Sequence, residues 1–210
     1  MIPIETFLAF LAASVVFAYM PGPAMLYVAA QTVARSRAAG LMAVLGVHLG
    51  GYVHVIAAAA GLSALFVAVP VLYTIVKTVG ALYLIWLGIQ MIRRSGGAGG
   101  DLPVKPLAGP RRAFFDSIAV EVLNPKTAMF FIAFLPQFTD PASATAIWLQ
   151  LLVLGTIVNA MFSSADLVCV LLAGAVVARL KKSGRAQKWA HRAGGGILIG
   201  LGAHLALQRS

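Results

Sequence analysis

Long apolar segments alternate with short polar connections along the whole chain. Six of these segments can be drawn, at approximately residues 4–34, 39–62, 67–92, 113–135, 145–178 and 193–208. A helix needs about 20 apolar residues to cross the hydrocarbon core of a membrane. The pattern therefore predicts an all-α integral membrane protein whose six transmembrane helices lie in the lipid bilayer.

The composition supports this fold class and excludes others. Of the 210 residues, 60% are hydrophobic and 10% are charged, whereas soluble domains carry about 25% charged residues. A soluble globular enzyme is therefore excluded, and a disordered chain would need the opposite composition. The sequence contains no HExxH, GxSxG or Walker pattern, so we expect a protein that is not an enzyme.

The net charge of +10 comes from basic residues that lie mostly between the apolar segments. The loops after the first, third and fifth segments carry two, five and six basic residues, whereas the opposite side has Lys77 and Arg209. Basic loops stay in the cytoplasm, so we interpret these charges as orientation signals and expect no nucleic-acid partner. Both chain termini are then predicted to be extracytoplasmic.

Two stretches of the first half recur in the second half in the same order. Residues 21–29 align without gaps with residues 125–133, and residues 80–90 align with residues 194–204. Each match is weak by itself because apolar segments resemble one another by chance. Their shared order and position indicate that the chain is built from two related halves.

We therefore divide the transmembrane domain into a first three-helix repeat, 1–94, a cytoplasmic linker, 95–110, and a second three-helix repeat, 111–210. Because each repeat has an odd number of spans, the second repeat enters the membrane from the opposite side. Such inverted repeats are common in secondary transporters, which bind their substrate near the midplane of the bilayer.

The first and fourth helices are predicted to be broken near the midplane. Pro21, Gly22 and Pro23 lie in the centre of the first segment, and Asn124 and Pro125 lie in the centre of the fourth. Proline removes a backbone donor and disfavours helical geometry in the residue before it. Irregular backbone at this depth is tolerated only inside protein or beside a water-filled cavity. Two ordinary proline kinks remain the alternative.

Three ionisable residues interrupt the apolar segments: Glu121 and Lys126 in the fourth, and Asp166 in the fifth. An ionisable group inside a membrane is costly and usually functional. The structural alternative for Glu121 and Lys126 is an ion pair across the break. The alternative for Asp166 is a packing residue that is protonated or hydrogen-bonded.

The second segment carries two histidines and a pair of glycines. His48 and His54 are separated by about 240° around a helix, so the two alone are not expected to bind a metal. Gly46 and Gly50 form a GxxxG pattern, for which we favour close packing of helices over a binding role.

The motifs at the two breaks carry a family resemblance. The run from Asn124 to Phe138, NPKTAMFFIAFLPQF, is similar to the fourth-span signature of the LysE/RhtB family of bacterial amino-acid exporters. The PGP motif at residues 21–23 resembles the first-span signature of that family. The resemblance implies export of neutral or basic amino acids or related metabolites across the bacterial cytoplasmic (inner) membrane. It also implies proton antiport and requires no cofactor.

The hypothesis that follows is alternating access around a substrate site between the two breaks. Backbone amides after the breaks would receive a substrate carboxylate, and Glu121 or Asp166 would bind the ammonium or carry the coupling proton. Lys126 would be a carboxylate partner or a switchable counter-ion. Tyr19, Tyr27 and Asn159 are secondary candidates. The residues predicted to bind or translocate substrate are Pro21, Gly22, Pro23, Glu121, Asn124, Pro125, Lys126 and Asp166.

Two other functions fit the composition less well. A metal-cation exporter would need a cluster of acidic, histidine or cysteine ligands at the midplane, where only Glu121 and Asp166 qualify. A non-transporting membrane assembly subunit would have no central helix breaks and would need a large polar docking surface. The sequence does not identify the amino acid transported. It also does not determine the oligomeric state, and a homo-oligomer is one possible state.

Overall fold

The computed structural model describes residues 4–69, 71–93 and 110–180, with the isolated positions 192, 196, 199, 200 and 203. Within these residues every regular element is helical. Two short segments depart from α geometry, a π-helical stretch at Ala57–Leu62 and a 3₁₀ turn at Leu135–Phe138. The α-helices are α1 (Ile4–Ala18), α2 (Pro23–Ala34), α3 (Arg37–Ile56), α4 (Ser63–Ala68), α5 (Val71–Arg93), α6 (Pro110–Val122), α7 (Pro125–Phe134) and α8 (Ile147–Leu180).

Two of the predicted spans each consist of two helices that meet at an angle. Helices α1 and α2 are inclined by 49°, and helices α6 and α7 by 47°. The backbone conformation explains both bends. At the first, Gly22 is extended, with φ −130° and ψ 178°, and Pro23 begins α2. At the other break, Asn124 is extended and its side chain accepts a hydrogen bond from the backbone N–H of Lys126, 3.1 Å away.

Continuous helix 37–66, made of α3, the π-helical stretch and the start of α4, is long and apolar enough to cross a membrane. So is helix 147–172, the larger part of α8. The number of candidate spans among the described residues rises to four if each bent pair is one span. These helices confirm the all-α, membrane-type architecture. The linker 95–110, apart from Pro110, lies outside the described residues. So do most of the sixth predicted span and most of residues 194–204, the second member of the second repeat match.

Helix α3 separates a lipid-type face from a packing face. Its exposed large residues recur every three or four positions: Leu41, Leu45, Leu49, Val53 and Ile56. This spacing places them on one side of the helix, and an exposed stripe of branched apolar side chains suits contact with lipid tails. The opposite side carries the small residues that face the rest of the protein.

The packing face of α3 lies directly against α6. A β-carbon added to Gly46 would meet the backbone carbonyl of Phe114, and one added to Gly50 would come within 2.9 Å of the carbonyl of Ile118. The interpretation of this glycine pair as a close-packing motif is confirmed. His54 adds a cross-link, because its Nε2 lies 2.8 Å from the backbone oxygen of Glu121.

The buried side chains form two clusters with different chemistry. One is rich in phenylalanine and joins α1, α7, the 3₁₀ turn and α8. Its rings stack, as between Phe17 and Phe130, whose centroids are 3.8 Å apart. The other cluster, between α2, α3 and α8, consists of alanine and valine. The members of the second cluster are Ala24, Val28, Ala43, Val44, Val47 and Val170.

Candidate functional site

The two helix breaks meet in space through the side chain of Lys126. Its ammonium nitrogen lies 2.6 Å from the backbone oxygen of Met20 and 3.4 Å from that of Phe17. It also sits 4.5 Å from the centre of the Phe17 ring. Backbone carbonyls at the end of a helix form the negative end of its dipole and stabilise a cation. The amine is thus bound by Phe17 in the last turn of α1 and by Met20 in the break that follows it.

Gly22 leaves the space that Lys126 occupies. A β-carbon at this position would lie 2.7 Å from Cδ of Lys126 and 3.1 Å from its Nζ. The backbone of Gly22 is extended, a conformation open to any residue, so the close approach of the lysine is what favours glycine here. The glycine of the first break therefore fits the lysine of the second.

Glu121 and Asn124 form the other side of this junction. The Asn124 side-chain amide donates to Oε2 of Glu121 at 3.0 Å, and its oxygen accepts the backbone N–H of Lys126. Both side chains are buried. Glu121 and Lys126 do not form the ion pair considered from sequence, because the lysine reaches toward α1. An ion pair is present instead between Arg112 and Asp116.

Asp166 approaches the junction from α8. Its side chain is 4% exposed, and it makes no hydrogen bond with another described residue. It interacts electrostatically with Lys126 and with Glu121. The described residues therefore offer no hydrogen-bond partner for the packing role that we considered for Asp166 from sequence. Its carboxylate faces open space instead.

That open space is a small cleft of about 30 Å³, part of which is open to the surroundings. A volume of this size holds about two water molecules, so the cleft must widen before it can admit an amino acid. Three ionisable side chains, the amide of Asn124 and the side chain of Thr127 line the cleft together with apolar side chains. The apolar wall includes Phe17, Met20, Met25, Val47 and Phe162.

Five of the eight residues predicted from sequence line this cleft, namely Gly22, Glu121, Asn124, Lys126 and Asp166. The other three are the prolines. Pro23 and Pro125 occupy the first positions of α2 and α7, and Pro21 lies between α1 and α2. Their position shows that they end and begin helices rather than form the wall.

The first backbone amides of α2 and α7 differ in whether a side chain caps them. At the start of α7, the N–H of Lys126 is already donated to Asn124. At the start of α2, no side chain caps the helix. The amides of Ala24 and Met25 begin that helix after a proline that has no N–H, and both residues line the cleft.

The secondary candidates lie elsewhere. Tyr19 is 49% exposed, and Asn159 donates to the backbone oxygen of His48, 3.1 Å away. Neither lines the cleft. The aromatic wall was missed from sequence because Phe17 and Phe162 look like every other phenylalanine in an apolar segment. No group of three or more histidine, cysteine or acidic side chains that could hold a metal occurs in the described ranges, so the metal-cation alternative gains no support there.

Comparison with known proteins identifies the family that this sequence matches. A model of the LysE type translocator family matches residues 15–209. A leucine efflux protein of Enterobacter sp. (strain 638) is 33% identical, over 89% of this chain and 88% of its own length. A threonine efflux protein of Salmonella typhi is 29% identical, over 90% of this chain and 91% of its own length. No solved structure matches the chain.

Proposed function

Because the chain belongs to the LysE type translocator family, whose members are transporters and not enzymes, we propose that it exports amino acids or related small metabolites from the cytoplasm. The observation that carries this proposal is the cleft at which both helix breaks meet, whose lining combines charged and apolar groups. An amino acid with an apolar side chain presents the same two kinds of surface. Relatives named for leucine and threonine efflux favour a neutral substrate.

The substrate carboxylate would bind at the start of α2. The amides of Ala24 and Met25 lack a side-chain cap there, and the positive end of a helix dipole stabilises an anion. The substrate ammonium would bind Asp166, whose carboxylate has no hydrogen bond to another described residue. The side chain of the substrate would then lie against Phe17, Met20 and Phe162.

The two bent pairs, α1 with α2 and α6 with α7, would each be one broken span in a six-span fold of two inverted three-helix repeats. Alternating access would follow from movement of the repeats around the cleft, which is typical of transporters built this way. The protein would reside in the bacterial inner membrane, with both termini extracytoplasmic and the basic loops in the cytoplasm.

Energy for export would come from proton antiport, with Asp166 or Glu121 as the proton carrier. Both acids are buried beside the cleft. Sharing one site between a proton and the substrate ammonium gives an exchange mechanism, since an acid that has taken up a proton no longer attracts the ammonium.

The test compares Asp166→Asn and Glu121→Gln with wild-type protein in vesicles. If an acid carries the proton, its amide variant should lose uphill export driven by a pH gradient and retain exchange of labelled substrate between equal pools. If it binds only the ammonium, both activities should fall together. Asp140→Asn is the matched control, because Asp140 is exposed in the loop between α7 and α8. Full gradient-driven export by both cleft variants would overturn the coupling role, and absence of amino-acid transport by the wild type would overturn the function itself.

A further inference from the structure

A second polar cluster lies between α2 and α6, beyond the cleft toward the C-terminal end of α2. Tyr27, Gln31 and Arg35 are spaced by four residues and therefore share one face of α2. Arg112 and Asp116 lie on α6, where Arg112 Nε is 3.7 Å from Asp116 Oδ2. The hydroxyl of Tyr27 interacts electrostatically with Asp116 and with both arginines, so the five side chains form one group.

The Tyr27 hydroxyl lies close to the Gln31 side chain, but neither this hydroxyl nor Gln31 Oε1 makes a hydrogen bond of good geometry among the described residues. Gln31 is 1% exposed. Buried polar atoms are almost always paired in folded proteins, because leaving one unpaired costs free energy. A transporter that alternates between conformations offers an explanation: these atoms find their partner in a conformation in which α2 and α6 have separated.

The chemistry of the group matches the head group of an amino acid. Two guanidinium groups can hold a carboxylate with paired hydrogen bonds. The Gln31 oxygen and the Asp116 carboxylate can accept hydrogen bonds from an ammonium. Both charges of a zwitterion would thus be met between the two helices.

The position of the group fits a step before the cleft. Gln31 lies seven residues after Ala24, which is about 10 Å along the helix, and Ala24 lines the cleft. Arg35 and Arg112 border the loops that the basic-charge rule assigns to the cytoplasm. A substrate leaving the cytoplasm would therefore pass this group first.

We infer that the surface between α2 and α6 is a cytoplasmic loading site, at which Tyr27, Gln31 and the flanking charges bind the amino-acid head group before it reaches the cleft. This inference rests on the proposed export function. In the conformation described here, α2 and α6 are in contact and the site is closed over Gln31.

The test measures uptake of labelled leucine into inverted vesicles, which expose the cytoplasmic face, and into right-side-out vesicles, which expose the outer face. Gln31→Met keeps the length of the side chain and removes the acceptor, and Tyr27→Phe removes one oxygen. Each should raise the half-saturation concentration at the cytoplasmic face about tenfold, equivalent to about 1.4 kcal/mol, and leave that at the outer face near the wild-type value.

Thr32→Val is the matched control on the same helix. Its hydroxyl bonds the backbone oxygen of Val28, 2.8 Å away, so it is not part of the group and half-saturation should stay unchanged. The loading site is excluded if both test variants leave the half-saturation concentration at the cytoplasmic face unchanged. It is also excluded if they raise the half-saturation concentration only at the outer face. Leucine uptake by the wild type separates this outcome from failure of the export function, and Tyr27→Phe keeps the test decisive if Gln31→Met does not fold.

Discussion

Lys126 is held inside the protein by backbone oxygens rather than by a carboxylate. The carbonyls of Phe17 and Met20 accept its hydrogen bonds, and the Phe17 ring covers it. Hydrogen bonds to a charged group contribute about 1.5–3 kcal/mol each, and a ring face adds about 0.5–2 kcal/mol. With its ammonium bound in this way, Lys126 leaves Asp166 without a hydrogen bond to it, whereas Glu121 already accepts one from Asn124.

Gly22→Ala should displace this lysine. The new β-carbon would lie 2.7 Å from Cδ of Lys126, so the side chain must shift and its hydrogen bond to Met20 weakens. We expect transport to fall and the melting temperature of the purified protein to drop, while the extended backbone accepts alanine without strain.

A double-mutant cycle isolates the cause of that drop. In a Lys126→Ala background there is no lysine for the β-carbon to displace, so Gly22→Ala should add little further loss of thermal stability. An equal decrease of the melting temperature in both backgrounds would mean that the glycine serves a purpose other than making room for Lys126.

At the level of single residues, the sequence identifies the charged members of the site but not their partners. Glu121, Lys126 and Asp166 are conspicuous because a charge inside an apolar segment is rare. The oxygens that bind Lys126 belong to the backbone, which carries no signal in the sequence. The same is true of the α2 amides: only the structure shows that Asn124 caps α7 while Gly22 leaves α2 uncapped.

At the level of elements, the contact between α3 and α6 fixes where Glu121 lies. Gly46 and Gly50 allow α6 to approach the backbone of α3, and His54 binds the backbone oxygen of Glu121. In a membrane, helices associate through close packing and hydrogen bonds because lipid provides no hydrophobic driving force. The packing of α3 against α6 thus positions Glu121 beside the cleft.

Gly46→Ala should weaken this contact. Its β-carbon would meet the backbone oxygen of Phe114, and a helix backbone cannot turn aside as a side chain can. We expect a loss of about 1–3 kcal/mol, as for other overpacked positions, measured as a lower melting temperature in detergent. Gly61→Ala is the control, since a β-carbon there meets nothing within 4 Å; an equal loss in the control would contradict the packing explanation.

The ends of elements were predictable where proline or a polar residue marks them. The PGP motif and the Asn-Pro pair stand at the two bends, because each supplies a residue that cannot continue the helix before it. The π-helical stretch Ala57–Leu62 was not predicted. Its run of four alanines and a glycine has no pattern that distinguishes one helical geometry from another.

At the scale of the whole molecule, the uneven basic charge of the loops predicts the orientation. A reporter that is active only outside the cytoplasm should be active after Ser210 and inactive within residues 95–110, because the positive-inside rule retains the basic loops in the cytoplasm. The measurement is the activity of the two fusions at equal expression. A cytoplasmic C-terminus would exclude the six-span arrangement and, with it, the inverted repeats.

The charges of the cleft make the movement of the loaded carrier sensitive to the membrane voltage. With Lys126, Glu121 and Asp166 all ionised, the cleft carries one net negative charge, and a zwitterionic substrate does not change it. A cell interior that is electrically negative drives such a charge outward, by up to about 2.3 kcal/mol per 100 mV. Under the proposed coupling, the return movement with a bound proton is neutral and does not oppose that force. The resting voltage of the cell would therefore pull the loaded carrier toward the outside even when no pH difference exists across the membrane.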